Sequence, residues 1–260
     1  MKSAEIETAE LLQEAARSAG EEQKREFTTP QRLSDDKLDA YFSQESVTLI
    51  GFGSLLSEVS SRGTFPDLCN FREVRVQGYM RIFQHPAFIF FERGIADLEA
   101  HTYSSLSTEK DSTKSYVAVA FEISGQSKAD WLRREEEFHF DLVGYEQPGG
   151  TRGVGLACVG SEDDSVYIER WGRDKYQSSL SKHNLRCIWD RQYHRSILPC
   201  SVYLRHCVLA AQRRSFSCLA SFLDDTYLAD RVTTIRQYLD AHPEVMLTQP
   251  PPILIGRYSG

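Results

Sequence analysis

Ser46-Val47-Thr48-Leu49-Ile50-Gly51-Phe52-Gly53-Ser54-Leu55-Leu56 begins as a β-branched and aliphatic run bounded by polar residues, the pattern of a short buried strand. It breaks at two glycines that flank an aromatic. Gly51 and Gly53 have no Cβ, so the backbone there can turn sharply and approach a bound group closely. Peptide N–H groups in such a loop can converge on an anion, which makes this stretch the leading candidate for a substrate cradle. A glycine-containing hairpin or bulge with no ligand fits the same residues.

On the C-terminal side, Leu55 to Arg62 reads as a helical turn that Gly63 and Pro66 stop. Arg72 to Phe83 alternates polar and apolar residues as a half-buried strand does, with Gly78 marking a bulge or a close backbone approach. Pro86 to Phe91 is a second apolar run, Ser104 to Leu106 pairs nearby, and Ser115 to Ile123 is a strand. Several strands ahead of the first strong helix predict a mainly antiparallel or mixed sheet. That helix is expected over Ser127 to Phe138, with Ser127 as N-cap and Ala129, Trp131, Leu132 and Phe138 on its apolar side. Gly149-Gly150 marks a turn, and Val154 to Val159 returns as a strand. From about Asp174 onward, Tyr176–Asn184, Ser201–Arg213, Cys218–Asp225 and Asp230–Ala241 all carry helical periodicity. With Trp189, Tyr203, Leu204, Val208 and Leu209 available for packing and no linker before them, this annex is expected to lie on the sheet. Pro250 to Pro252 ends regular structure. On the N-terminal side, Met1 to about Gln44 is a polar tail, helical in part over Glu5–Arg17, with Leu38–Phe42 leading into the first strand.

The 260 residues suffice for one good core and an appended subdomain. A formal net charge of −7 argues against non-specific nucleic-acid binding, which draws its affinity from Lys and Arg on phosphates. The six cysteines form no CxxC pair and no cluster with histidines, so neither zinc nor dithiol chemistry has its spacing signal. They read as reduced thiols of an intracellular, cytoplasmic protein. No apolar run approaches the ~20 residues that span a bilayer.

For chemistry, Gly51-Phe52-Gly53 falls short of a dinucleotide motif because Leu56 stands at the third glycine and the next element is too short for a crossover helix. Ser54 lacks the G-x-S-x-G elbow of a serine hydrolase. His85, His101, His139 and His206 are scattered. Arg133-Arg134-Glu135-Glu136-Glu137 is different. On a helix, Trp131, Glu135 and Phe138 share a face, so Glu135 is expected against the sheet, desolvated, with a pKa raised toward that of a general base or acid. Glu136 is expected on the solvent side. Glu137 is the fallback if the helix ends early. The same run also fits a solvated ion-pair lattice.

The ordered set Gly51-Phe52-Gly53-Ser54-Leu55-Leu56, Gly78-Tyr79-Met80-Arg81-Ile82-Phe83, Val117 to Glu122 and Leu132-Arg133-Arg134-Glu135 resembles the gamma-glutamylcyclotransferase-like superfamily, nearest in pattern to its ChaC-type and plant members. The resemblance covers roughly Val47 to Val159. Phe52 stands where that family usually has tyrosine, Gly94 to Thr113 is not the familiar loop, and the annex has no counterpart in minimal members. The resemblance implies an α+β fold, a small mixed β-barrel-like sheet flanked by helices, with residues 45–172 as that domain and 173–260 as a helical C-terminal extension packed on it. It also implies a substrate cradle at Phe52, Gly53, Ser54 and Leu55, proton transfer by Glu135, and release of 5-oxoproline from a small anionic γ-glutamyl compound without metal or cofactor. The rival expectations are a non-catalytic member that binds a ligand, or a protein partner through the annex, and an acyl-transfer enzyme using the same loop on another amide. No nucleic-acid or membrane partner is expected.

Overall fold

The computed structural model describes residues 31–260. The helix expected over Glu5–Arg17 lies outside them. In chain order come β1 (Gln31–Arg32), α1 (Asp35–Phe42), β2 (Ser46–Gly51), a 3₁₀ turn (Ser54–Leu56), α2 (Glu58–Arg62), β3 (Cys69–Pro86), α3 (Phe88–Glu92), β4 (Thr102–Ser124), α4 (Lys128–Arg134), β5 (His139–Glu146) and β6 (Arg152–Val159). Then follow α5 (Ser165–Trp171), α6 (Arg173–Lys182), β7 (Leu198–Pro199), α7 (Ser201–Arg214), α8 (Phe216–Asp224), β8 (Thr226–Tyr227) and α9 (Ile235–Ala241).

Five strands close on themselves. β2 runs antiparallel to β4, β4 to β3, β3 to β5 and β5 to β6, and β6 returns parallel to β2 through Leu49 and Leu156. The result is a mixed five-strand barrel with β1, β7 and β8 added at its margins and helices around it, an α+β fold. Closure removes free strand edges. Leu49, Val76, Val119, Phe121 and Leu156 are all completely buried. β3 bends where Gly78 adopts φ 79°, and the ladder with β4 slips there between Gln77 and Tyr79.

Tyr116-Val117-Ala118-Val119-Ala120-Phe121 is buried residue after residue rather than alternately. Such a run requires cover on both faces, and the annex supplies the second. Ser221 of α8 accepts the Val117 N–H at 2.9 Å. Arg81, fully buried, donates to the carbonyls of Val117 (3.0 Å) and Ser221 (2.7 Å), its guanidinium between the rings of Tyr116 and Phe222. Burial pulls this arginine down to about 10. Annex and barrel residues belong to one hydrophobic cluster.

Five local expectations need correction. The helix expected to reach Phe138 stops at Arg134, with Glu135 as its C-cap (φ −118°, ψ 41°). Three successive glutamates oppose the negative end of a helix dipole, and β5 must start at His139. Ser127 makes no capping bond, because a 3₁₀ turn (Gly125–Ser127) precedes the helix. Ser104–Leu106 and Ser115–Ile123 are parts of one 23-residue strand, β4. The apolar run after Pro86 is the short helix α3, and the helix expected from Asp230 begins at Ile235 behind a Thr234–Gln237 capping box. No helix among the described residues is long and apolar enough to cross a membrane.

Candidate active site

The end of α4, the turn after it and α3 face the glycine loop across a cleft of about 550 Å³. Tyr203 of α7 and Tyr258 near the C-terminus close its other side. Arg134 is the knot of the site. Its Nε donates to Glu135 Oε1 (3.1 Å), Nη1 to Thr64 Oγ1 (2.6 Å) and Nη2 to Ser54 Oγ (2.9 Å). One side chain therefore fixes Glu135 against the loop that ends β2. Since guanidinium has five N–H donors, at least one remains for a ligand.

Glu135 lies at the inner end of the cleft with 15% of its side chain exposed. Burial raises its pKa, the adjacent Arg134 charge pulling the other way and the Cys158 thiol and Arg134 hydrogen bonds adding to that pull. Glu137, 5% exposed, also lines the cleft and accepts the Phe88 N–H at 3.0 Å. Burial, then the Glu136 charge, pushes it up to about 8, so at neutral pH it is mostly a neutral acid. Glu136 was expected on the solvent side. It is half-buried, lines the same cleft and pairs with Lys175 at 2.6 Å. The early end of α4 explains this: an irregular turn, unlike a helix, can present three consecutive side chains to one side.

The glycine loop differs from an open cradle. The β2–β4 ladder ends at Gly51 and Val119, so the amides of Gly53 and Ser54 lie outside the sheet. Yet the Tyr203 hydroxyl sits against Gly53 so closely that a Cβ there would run into it, and the Ser54 N–H interacts with the same phenolic oxygen. Only about 40 Å³ remains in the inner cavity between Gly53, Cys158, Glu135 and Tyr203. Of the four expected cradle residues, Ser54 reaches the cleft; Gly53 faces the inner cavity, and Phe52 and Leu55 border it while their side chains pack into the core, Phe52 edge-on to Tyr116 at 6.1 Å. Tyr203 reads in the sequence as an annex packing residue, and no local pattern marks it as part of the site. Arg93 and Arg257, which also line the cleft, carry no sequence signal either. Among the described residues no group of three or more His, Cys, Asp and Glu side chains is arranged to hold a metal, and the six cysteines are free thiols.

Several solved structures are similar to this chain at low identity. One is titled gamma-glutamyl cyclotransferase, with 11% identity over 55% of this chain and 90% of that one, at a TM-score of 0.38. An uncharacterized protein from Homo sapiens shows 12% identity over 55% and 90%, TM-score 0.38. YkqA from Bacillus subtilis shows 15% over 60% and 57%, TM-score 0.34. No family model and no curated protein matches the sequence.

Proposed function

We propose that the cleft carries out γ-glutamyl cyclotransferase chemistry on a small anionic γ-glutamyl compound. The observation that carries this reading is a carboxyl group of raised pKa, Glu135, held through Arg134 against Ser54 of the strand-terminal loop. In a γ-glutamyl amide the substrate's own α-amine can attack the γ-carbonyl. Glu135 takes the proton from the α-ammonium, the new N–C bond closes a five-membered lactam, and the amide C–N bond breaks. Glu135 returns that proton to the departing nitrogen, the second proton shed by the attacking nitrogen as it becomes the lactam N–H leaves with the amine as well, and 5-oxoproline and the ammonium of the departed amine remain. No external nucleophile is consumed. Holding the amine beside the carbonyl is the main contribution, because intramolecular attack in a bound conformer exploits a high effective molarity. With Tyr203 seated on the loop amides, the α-carboxylate is taken one layer out, by the Ser54 hydroxyl and the spare N–H of Arg134. Residues 45–172 then form the catalytic domain and 173–260 the extension that supplies its inner wall.

The seat of Tyr203 favours a second reading, a non-catalytic binding protein whose loop is filled from within. Incubating the protein with a panel of γ-glutamyl compounds, glutathione among them, and assaying 5-oxoproline separates the two. Product that disappears in Glu135→Gln supports catalysis. Silence across the panel at high protein concentration, with binding retained, supports the second reading.

A further inference from the structure

The charges lining the cleft do not cancel locally. Every carboxylate has its own partner: Glu92 pairs with Lys182 (2.8 Å), Asp130 with Arg133 (3.0 Å), Glu135 with Arg134 and Glu136 with Lys175. Glu137 is bonded to a backbone N–H. Two guanidiniums lining the same cleft form no ion pair among the described residues, although the charge of one, Arg93, also acts on its chain neighbour Glu92. Among the described residues the Arg93 side chain donates only to the Tyr258 hydroxyl (2.5 Å), and it lies over that ring, 5.5 Å from its centroid. The side chain of Arg257, next in sequence to Tyr258, has no ion pair and no hydrogen bond among the described residues. Arg257 is exposed at the rim of the cleft, where partial desolvation, then the neighbouring charges of Arg93 and Arg134, pulls it below the usual arginine range.

Such an arrangement costs energy unless something compensates it, because like charges held close together repel. It is also held in place. Tyr258 is 3% exposed and packs edge-on to His206 at 5.6 Å. Gly260 N–H donates to His206 Nδ1 (2.9 Å), and Arg213 Nη1 donates to the Gly260 carbonyl (2.6 Å). These contacts to α7 fix the segment that carries Arg257 beside the cleft. In a chain of net charge −7, two cations left without carboxylates in one cleft point to a ligand.

We propose that Arg93 and Arg257 form an anion subsite at the outer end of the cleft, so that the substrate's amine portion carries a compact oxyanion of two negative charges. The shared chemistry is that of a phosphate monoester or a short dicarboxylate, either of which two guanidiniums can grip through charge-assisted hydrogen bonds. Only the γ-glutamyl half of that description rests on the function proposed above.

The test is calorimetric titration of the full chain with inorganic phosphate and, separately, malonate, in a weakly ionic buffer free of both. Either anion should bind, and the tighter one names the class. Arg257→Gln and Arg93→Gln should each weaken it by about tenfold, the loss expected for one charge-assisted contact. Arg75→Gln removes the same charge from an exposed site on β3 and should leave binding unchanged. Glu135→Gln should also leave it in place, so a protein that binds the anion but releases no 5-oxoproline retains the subsite and loses the function. Binding of neither anion at millimolar concentration, or equal weakening by Arg75→Gln, overturns the proposal.

Discussion

The contact between Gly53 and Tyr203 can be weighed by a double-mutant cycle. A methyl group at position 53 meets the Tyr203 hydroxyl about 1 Å inside normal van der Waals contact, while the next atoms, Leu106 Cδ2 and Tyr203 Cζ, are at ordinary distances of 3.5 and 3.6 Å. The clash is therefore with one oxygen. Gly53→Ala alone should destabilise by the roughly 1–3 kcal/mol typical of overpacking. Tyr203→Phe alone removes the oxygen that the Ser54 N–H addresses and should cost about 1 kcal/mol. In the double variant the methyl group enters the space the oxygen vacated. Its cost should then be less than the sum of the singles by about 1–2 kcal/mol. Costs of the alanine that do not involve the hydroxyl cancel in the cycle. Urea unfolding of the four proteins, followed by tryptophan fluorescence, gives the coupling directly. Additivity within about 0.5 kcal/mol would mean that the hydroxyl does not sit on the loop, and the account of a filled cradle would fail.

Turnover should fall by about 10²–10⁴-fold in Glu135→Gln, the range for a general acid–base group, with ligand binding kept. Glu136→Gln should stay close to wild type, and loss of activity only in Glu137→Gln would move the proton-transfer role to that residue. Because burial raises the Glu135 pKa, the acid limb of a kcat/KM profile should fall above the ordinary glutamate value of about 4.3; a limb at or below it contradicts the assignment. Glu137 has its pKa raised to about 8 in the fold, so the folded state holds a proton that the unfolded chain has released. Its contribution is thus favourable at low pH and is lost as pH rises from the ordinary glutamate range to about 8. Chemical denaturation across that window should show wild type losing stability relative to Glu137→Gln, and parallel curves would disprove it. Ser221→Ala strips the acceptor from the buried Val117 N–H and one contact from Arg81, which should cost about 1–3 kcal/mol; an unchanged thermal midpoint would show that the bond is dispensable.

Much of the barrel was legible. The run Val47–Ile50 is apolar and breaks at glycine where β2 ends, and Gly78 marks the bulge in β3. β4 reads as two segments because Lys110 to Lys114 is polar, yet ladder hydrogen bonds are made by the backbone and tolerate polar side chains at an exposed bend. At the site, helical periodicity placed Glu135 inward, but α4 ends before it. What turns the carboxylate toward the loop is its bond to Arg134, together with the geometry of the turn. The shape of that turn has no periodic signature, so Glu136 was misplaced. Tyr203, Arg93 and Arg257 reach the cleft only through tertiary packing, which leaves no spacing rule in the sequence.

The cleft draws on Ser54, Arg93, Glu135, Tyr203 and Arg257, positions spread over most of the chain. A ribosome adding roughly 5–20 residues per second exposes the barrel strands well before residues 203 and 257 leave the exit tunnel. The barrel can close in that interval, whereas the cleft acquires Tyr203 and Arg257 only after those later residues emerge. Any function of this cleft is therefore withheld until residues 203 and 257 have emerged, and its appearance during translation would time the docking of α7 and of the segment that carries Arg257.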